Sequence, residues 1–317
     1  MKVKEWFKTF LAGMGIGVGA AVPGVSGGTI AIILKAYDKI LWAISNLFKE
    51  FKKAVIYLLP ILLGVVVALI PSIYLMVNAL NGFLFAIVCL FAGFIIGSFP
   101  GITDEVKNEP IKKSYIITAI ITFLIAIGLG VLSIVIEADA TSLITNPKWW
   151  VYLVLIPIGV VASSALVIPG ISGSMILFII GFYEPIMSTT YNTAKQIFNG
   201  DWSNFGVQLG LLSCLAVGVI IGFYFISKLM HYLLGKYHYV TFYGIIGFII
   251  GSTISLFINY KIYSYYGDWA KGSYIKVPMY IEIPVGIVFL IVAIIASYLL
   301  VRYKRKIDQE SPDQLDK

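Results

Sequence analysis

Cysteine, histidine and charge are all scarce in this chain of 317 residues, and each scarcity removes a class of function. The two cysteines, Cys89 and Cys214, each lie inside an apolar run. That excludes a disulfide framework and a cysteine-ligated metal site, and leaves buried thiols at lipid depth. The two histidines, His231 and His238, fall in an expected cytoplasmic connection with no acidic or cysteine partner at ligand spacing, so no metal site is read and no cofactor is expected. Charged residues make up 12% of the chain, against about 25% in a soluble domain. Acids are absent from residues 9–22 and from residues 149–168, two stretches that matter below.

What is present is apolar. Hydrophobic residues are 59% and the mean hydropathy is +0.93, so the chain reads as an all-α integral membrane protein with no room for a separate soluble domain. Lys2, Lys4 and Lys8 ahead of an apolar run mimic a signal peptide. Cleavage there would remove part of an internal repeat, so the segment is read as part of the mature fold.

The repeat is centred on AAVPGVSGGTIAIIL, residues 20–34, which returns as ALVIPGISGSMILFI, residues 165–179. At a constant offset of 146, Pro23 falls on Pro169, Gly24 on Gly170, Ser26 on Ser172 and Gly27 on Gly173. Tyr37 falls on Tyr183 and Asp38 on Glu184. GFIIGS at 93–98 recurs letter for letter at 247–252, now at an offset of 154, which also sets Gly64 on Gly218. Two halves are therefore expected, 1–136 and 149–302, joined by an external linker at 137–148 and followed by a cytoplasmic tail at 303–317.

Each half begins with an apolar stretch interrupted by Pro-Gly, a breaker, and restarted by Ser-Gly, a helix-opening pattern. These read as re-entrant hairpins over about 6–37 and 149–183. The second arm of the first, 27–37, would be about 16 Å long, near half of a roughly 30 Å hydrocarbon core. Gly13, Gly15, Gly17 and Gly19 give the first arm a smooth face for close helix packing. Residues 41–53 suit an amphipathic segment at the interface. Spans are expected at about 54–77, 83–99 and 114–136, and at about 205–226, 240–258 and 280–302, with a polar and aromatic connection over 184–204.

Three crossings per half, an odd number, make the repeats inverted. With a cytoplasmic N-terminus, 18 of the 23 basic residues fall inside, leaving Lys148, Lys195, Lys261, Lys271 and Lys276 outside. This positive-inside bias sets both termini in the cytoplasm and accounts for the net charge of +7 without a nucleic-acid partner. Tyr263, Tyr265, Tyr266 and Trp269 then fit an external aromatic belt.

Inverted repeats with broken helices present half-helix N-termini at the midplane, where unpaired N–H groups suit an anion. The candidate binding residues are Pro23, Gly24, Ser26, Gly27, Gly28 and Thr29 in one tip, and Pro169, Gly170, Ser172, Gly173 and Ser174 in the other. Ser26 and Ser172 are read as N-cap hydroxyls, with phosphate contact an additional role. Lys35 and Lys228 are read as snorkelling lysines or phosphate partners. Lys35, Asp38 and Glu184 are the candidates for gating or for coupling to a proton or sodium ion.

The doubled PGxSG, each followed by Tyr37-Asp38 or Tyr183-Glu184, resembles the bacterial polyprenyl-phosphate transporter family over nearly the whole chain. The resemblance implies a flippase of the bacterial plasma membrane that returns undecaprenyl phosphate from the outer to the inner leaflet for cell-wall precursor synthesis. Membrane undecaprenyl-diphosphate phosphatases offer a related pattern, PGxSRSxxT with glutamates in the preceding arm. Here Gly27 and Gly173 stand where the arginine would be, and neither arm carries an acid. Phosphoryl transfer needs positive charge at the transferring group and a base or metal, so binding fits these loops and hydrolysis does not. A small-anion transporter or channel would use the same half-helix logic and remains a separate reading.

Overall fold

The structure is a computed structural model that describes residues 3–25, 30–31, 34, 36, 39–40, 42–43, 46, 49–107, 109–135, 140–168, 171–271 and 277–310. Among these residues it is all-helical, and six helices are long and apolar enough to cross a membrane. In chain order the elements are α1 (Val3–Ala21), α2 (Phe51–Gly82), α3 (Leu84–Ser98), the short turn α4 (Pro100–Thr103), α5 (Lys113–Val135), α6 (Thr141–Thr145) and α7 (Trp149–Val167). They continue as α8 (Gly173–Ile179), α9 (Tyr183–Asn199), α10 (Phe205–Lys236), α11 (His238–Ser255), α12 (Tyr260–Ala270) and α13 (Met279–Glu310). Of the interfacial segment expected at 41–53, residues 41, 44–45 and 47–48 lie outside the described residues, and its end, from Phe51, is already α2.

Several helices outrun the expected spans. α2 and α10 each have 32 residues, about 48 Å at 1.5 Å per residue, so they extend beyond a roughly 30 Å core or tilt within it. α10 carries Lys228 and His231, which were expected in a connection. Lys228 donates to the Tyr224 hydroxyl at 2.6 Å, one turn back, and sits 4.5 Å from that ring's centroid. The stretch 184–204, read as a connection, is largely the helix α9. The chain beyond 302 stays helical to Glu310. In each case helical hydrogen bonding continues past the point where apolar composition falls, because polar helix ends can stand outside hydrocarbon.

Glycine decides how closely the helices pack. Gly13 on α1 faces the Ile61 carbonyl of α2, where an added Cβ would stand 2.2 Å from the oxygen, and Gly64 on α2 faces the Phe10 carbonyl at 2.1 Å. The later half repeats the arrangement between α7 and α10: Gly159 against the Leu215 carbonyl at 2.3 Å, and Gly218 against the Ile156 carbonyl at 2.0 Å. Such distances leave no room for a side chain, so the backbones themselves are in contact.

The remaining long helices pair across the halves. On α3, Gly93 meets Leu290 of α13 and Gly97 meets Ile294, while on α11, Gly247 meets Ala119 of α5 and Gly251 meets Phe123. Contacts advance together along both members of each pair, so α3 runs parallel to α13 and α11 parallel to α5. Outward faces carry exposed apolar side chains such as Ile120, Leu124, Ile220 and Ile291, as lipid contact requires.

Candidate functional site

The first break follows α1 directly. Pro23 is buried and Gly24 takes φ +88°, a left-handed conformation that side chains other than glycine's adopt at a cost. A Cβ there would also stand 3.0 Å from the Phe91 carbonyl and from Phe94 Cβ, so this tip rests on α3.

The second break leads into α8, only seven residues long, about 10 Å and too short to cross. Gly173 is its first residue, and by position neither Gly173 nor Ser174 has an intrahelical acceptor for its N–H. Ser172 holds the N-cap position, with its carbonyl accepting from Met175 and Ile176. Its hydroxyl makes no capping bond; it pairs with the Ser174 hydroxyl at 2.8 Å, which revises the capping role expected of it. Two hydroxyls and the first N–H groups of α8 are thus grouped at one tip.

α8 ends in a turn that the sequence disguised. Gly181 has φ +80°, its N–H bonds the Phe178 carbonyl at 3.2 Å, and the Phe182 N–H bonds the Leu177 carbonyl at 2.8 Å. This is the Schellman pattern, and it satisfies orphan carbonyls at the C-terminus of the short helix. Tyr183, expected at the end of the arm, instead begins α9.

The turn after α1 and the region of α8 and the start of α9 meet at Phe91. Its ring lies 5.7 Å from Phe178 and 6.4 Å from Tyr183, both edge-on, while the backbone of the same residue supports Gly24. Tyr183, 1% exposed, donates its hydroxyl to the Ala21 carbonyl at 2.6 Å, in the last turn of α1. Glu184, beside it, forms an ion pair with Lys261 of α12. Of the candidates, Ser26, Gly27, Gly28, Thr29, Lys35, Asp38, Pro169 and Gly170 lie outside the described residues.

Glu282 belongs to no motif of the sequence. It is fully buried in the first turn of α13, accepts from the Phe85 N–H at 2.7 Å and the Ala86 N–H at 3.3 Å, and accepts from the Tyr265 hydroxyl through its other oxygen. The available signal was that Glu282 is the one acid inside the six expected spans, a position where an ionisable residue is costly. Tyr265 and Tyr266 accordingly turn partly inward, and only Tyr263 and Trp269 of the supposed belt are exposed. At the other end of α3, Arg305 of the same helix α13 pairs with Asp104 at 2.6 Å and donates to the Pro100 carbonyl at 3.0 Å. It borders an open cavity of about 580 Å³ with Lys107, Glu109 and Tyr243.

These features define a multi-pass membrane protein with broken helices meeting inside it. Residues 16–273 match the VCA0040-like family, described as undecaprenyl phosphate translocase-like, and the chain belongs to that family. It is 31% identical over 267 residues to the polyprenyl-phosphate transporter of Staphylococcus aureus (strain NCTC 8325 / PS 47), covering 81% of this chain and 88% of that one. It is 28% identical over 265 residues to the polyprenyl-phosphate transporter of Vibrio cholerae serotype O1, covering 79% and 77%. Both relatives are named as transporters, not enzymes, which agrees with the missing arginine at Gly173. No solved structure matches the chain.

Proposed function

We propose that this protein carries a polyprenyl phosphate across the bacterial plasma membrane, returning undecaprenyl phosphate from the outer to the inner leaflet for cell-wall synthesis. The observation that carries the reading is the meeting of the two hairpin regions on Phe91, with the Ser172 and Ser174 hydroxyls grouped at one tip. The phosphate is held between the tips by hydroxyls and by the N–H groups of Gly173, Ser174 and their partners around Ser26 to Thr29, while the isoprenoid stays in lipid. Half-helix N-termini favour an anion without a fixed side-chain charge, so the headgroup can leave as well as enter. The names of the relatives favour the same class of lipid.

Alternating access follows if the halves are inverted repeats with re-entrant hairpins. The helix directions favour this. Tyr260 N–H bonds Ser133 near the end of α5, and Tyr265 bonds Glu282 at the start of α13, so α12 links those two ends on one side of the molecule. α11 therefore runs opposite to α13, and the matched helices α3 and α11 run in opposite senses. With both termini cytoplasmic, as the basic residues suggest, α12 lies outside and the Glu184–Lys261 pair closes over the second hairpin.

The test is leaflet exchange of labelled undecaprenyl phosphate by purified protein in liposomes. Protein-dependent exchange that slows at least about tenfold with Ser26→Ala and Ser172→Ala together is expected, each lost hydrogen bond to a charged group being worth about 1.5–3 kcal/mol. Absence of exchange under both proton and sodium gradients defeats the lipid reading, and uptake of inorganic phosphate in its place turns the site into a small-anion pathway.

A further inference from the structure

We propose that Glu282 is a positioning residue for transport: it fixes the axial and rotational setting of α3, the helix on which both hairpin regions rest. This rests on the transporter reading above and adds to it a residue remote from the tips.

The need for it begins locally. α3 opens at Phe83, a residue with no side-chain acceptor, and Phe83 makes no side-chain capping bond. The first N–H groups of a helix require acceptors, and in lipid water does not supply them. Glu282 reaches them from 197 residues away along the chain, taking the Phe85 and Ala86 N–H groups on one oxygen. A negative charge at that end also suits the helix dipole. Tyr265 secures the second oxygen, so the carboxylate cannot swing away from α3. Every partner is a donor, the complement of a group that only accepts.

What α3 carries explains the consequence. Ala86 and Phe91 are five residues apart, about 7.5 Å along the axis. Phe91, with no exposure, meets Phe178 and Tyr183, and its backbone carries Gly24. A shift or rotation of α3 therefore moves the support of both tips at once. The parallel partner helix holds the other end too, through Arg305 and the Pro100 carbonyl.

A native reporter sits on α3. Cys89 is 5% exposed, one turn beyond Phe85 and against Gly286 of α13. In a Cys214→Ala background it is the sole thiol, so maleimide labelling reads the setting of α3 independently of transport. We compare Glu282→Gln, Glu282→Ala and Tyr265→Phe, each reconstituted and checked for insertion and helix content. Gln keeps an acceptor for α3 and offers Tyr265 an amide, so it retains at least half of the transport rate and a protected Cys89. Glu282→Ala lowers transport at least tenfold and exposes Cys89 at least fivefold faster, and Tyr265→Phe lies between.

A protected Cys89 in Glu282→Ala overturns the proposal, whether or not the wild-type protein moves lipid. Loss of transport in Glu282→Gln equal to that in Glu282→Ala, with Cys89 still protected, also overturns it and assigns the residue to proton exchange. Wild-type protein that moves no lipid phosphate defeats the transporter reading by itself, and in that case faster Cys89 exposure in Glu282→Ala than in wild type or Glu282→Gln still assigns the setting of α3 to Glu282.

Discussion

The pair α3–α13 and the pair α5–α11 are assembled from matching contacts, yet they differ in chemistry. In one, Gly93 and Gly97 lie against the Leu290 and Ile294 carbonyls; in the other, Gly247 and Gly251 lie against the Ala119 and Phe123 carbonyls. Next along, Gly286 fits against Phe85 and Cys89, whereas Tyr115 stacks on Tyr243 and lies tilted against Tyr239. Volume has been traded between partners with the backbone spacing kept, as close-packed interiors demand. At the helix starts the match ends: α3 receives the buried carboxylate of Glu282, while the start of α11 has His238 facing Glu105 at 3.8 Å in an exposed setting. The lesson is that helix spacing is set by small residues common to both halves, and polar anchoring is supplied where one half alone needs it.

The largest effects test the shared part. Gly64→Leu and Gly218→Leu would drive a side chain into carbonyls 2.1 Å and 2.0 Å from the new Cβ, so each is expected to cost upwards of about 3 kcal/mol. Unfolding in detergent should show equal losses for the two; a loss in only one would break the structural likeness of the halves.

The next test sharpens the difference. Glu282→Ala leaves two N–H groups and a hydroxyl without an acceptor in a buried place, for about 2–4 kcal/mol. Ile111→Ala, in the exposed chain just before α5 of the matching helix pair, should change stability by under about 0.5 kcal/mol. Comparable losses at the two positions would remove the distinction.

Smaller changes probe the contacts around Phe91 and Glu184. Tyr183→Phe keeps the ring packing on Phe91 and deletes the bond to the Ala21 carbonyl, for about 1 kcal/mol in stability and a measurable fall in leaflet exchange. The smallest effect is expected for Lys261→Met, because the pair with Glu184 is partly exposed: well under about 1 kcal/mol, read by a double-mutant cycle with Glu184→Gln. Unchanged exchange in that cycle would remove the pair from gating.

Much of this was legible in advance. The six spans follow from runs too apolar for water, and Gly64 and Gly218 were identifiable as matching positions before their carbonyl contacts were seen. The breakers at Pro23 and Pro169 announced where α1 and α7 end. Other features were hidden although their residues were in plain view. Gly181 stops α8 through its positive φ, which no motif announced, and Ser172 holds the expected cap position with its hydroxyl on Ser174 instead.

The division has a physical cause. Hydropathy, proline and glycine act over a few residues, so the sequence by itself determined that the chain is helical and membrane-embedded and where α1 and α7 end. Partner choice depends on which surfaces fit after the chain has folded back, and nothing local encodes it. Only the tertiary structure decided that α3 lies along α13, that Tyr183 reaches Ala21 from 162 residues away, and that Glu282 finds its donors on α3. A buried carboxylate is tolerated where donors surround it, and those donors come together only in the folded molecule.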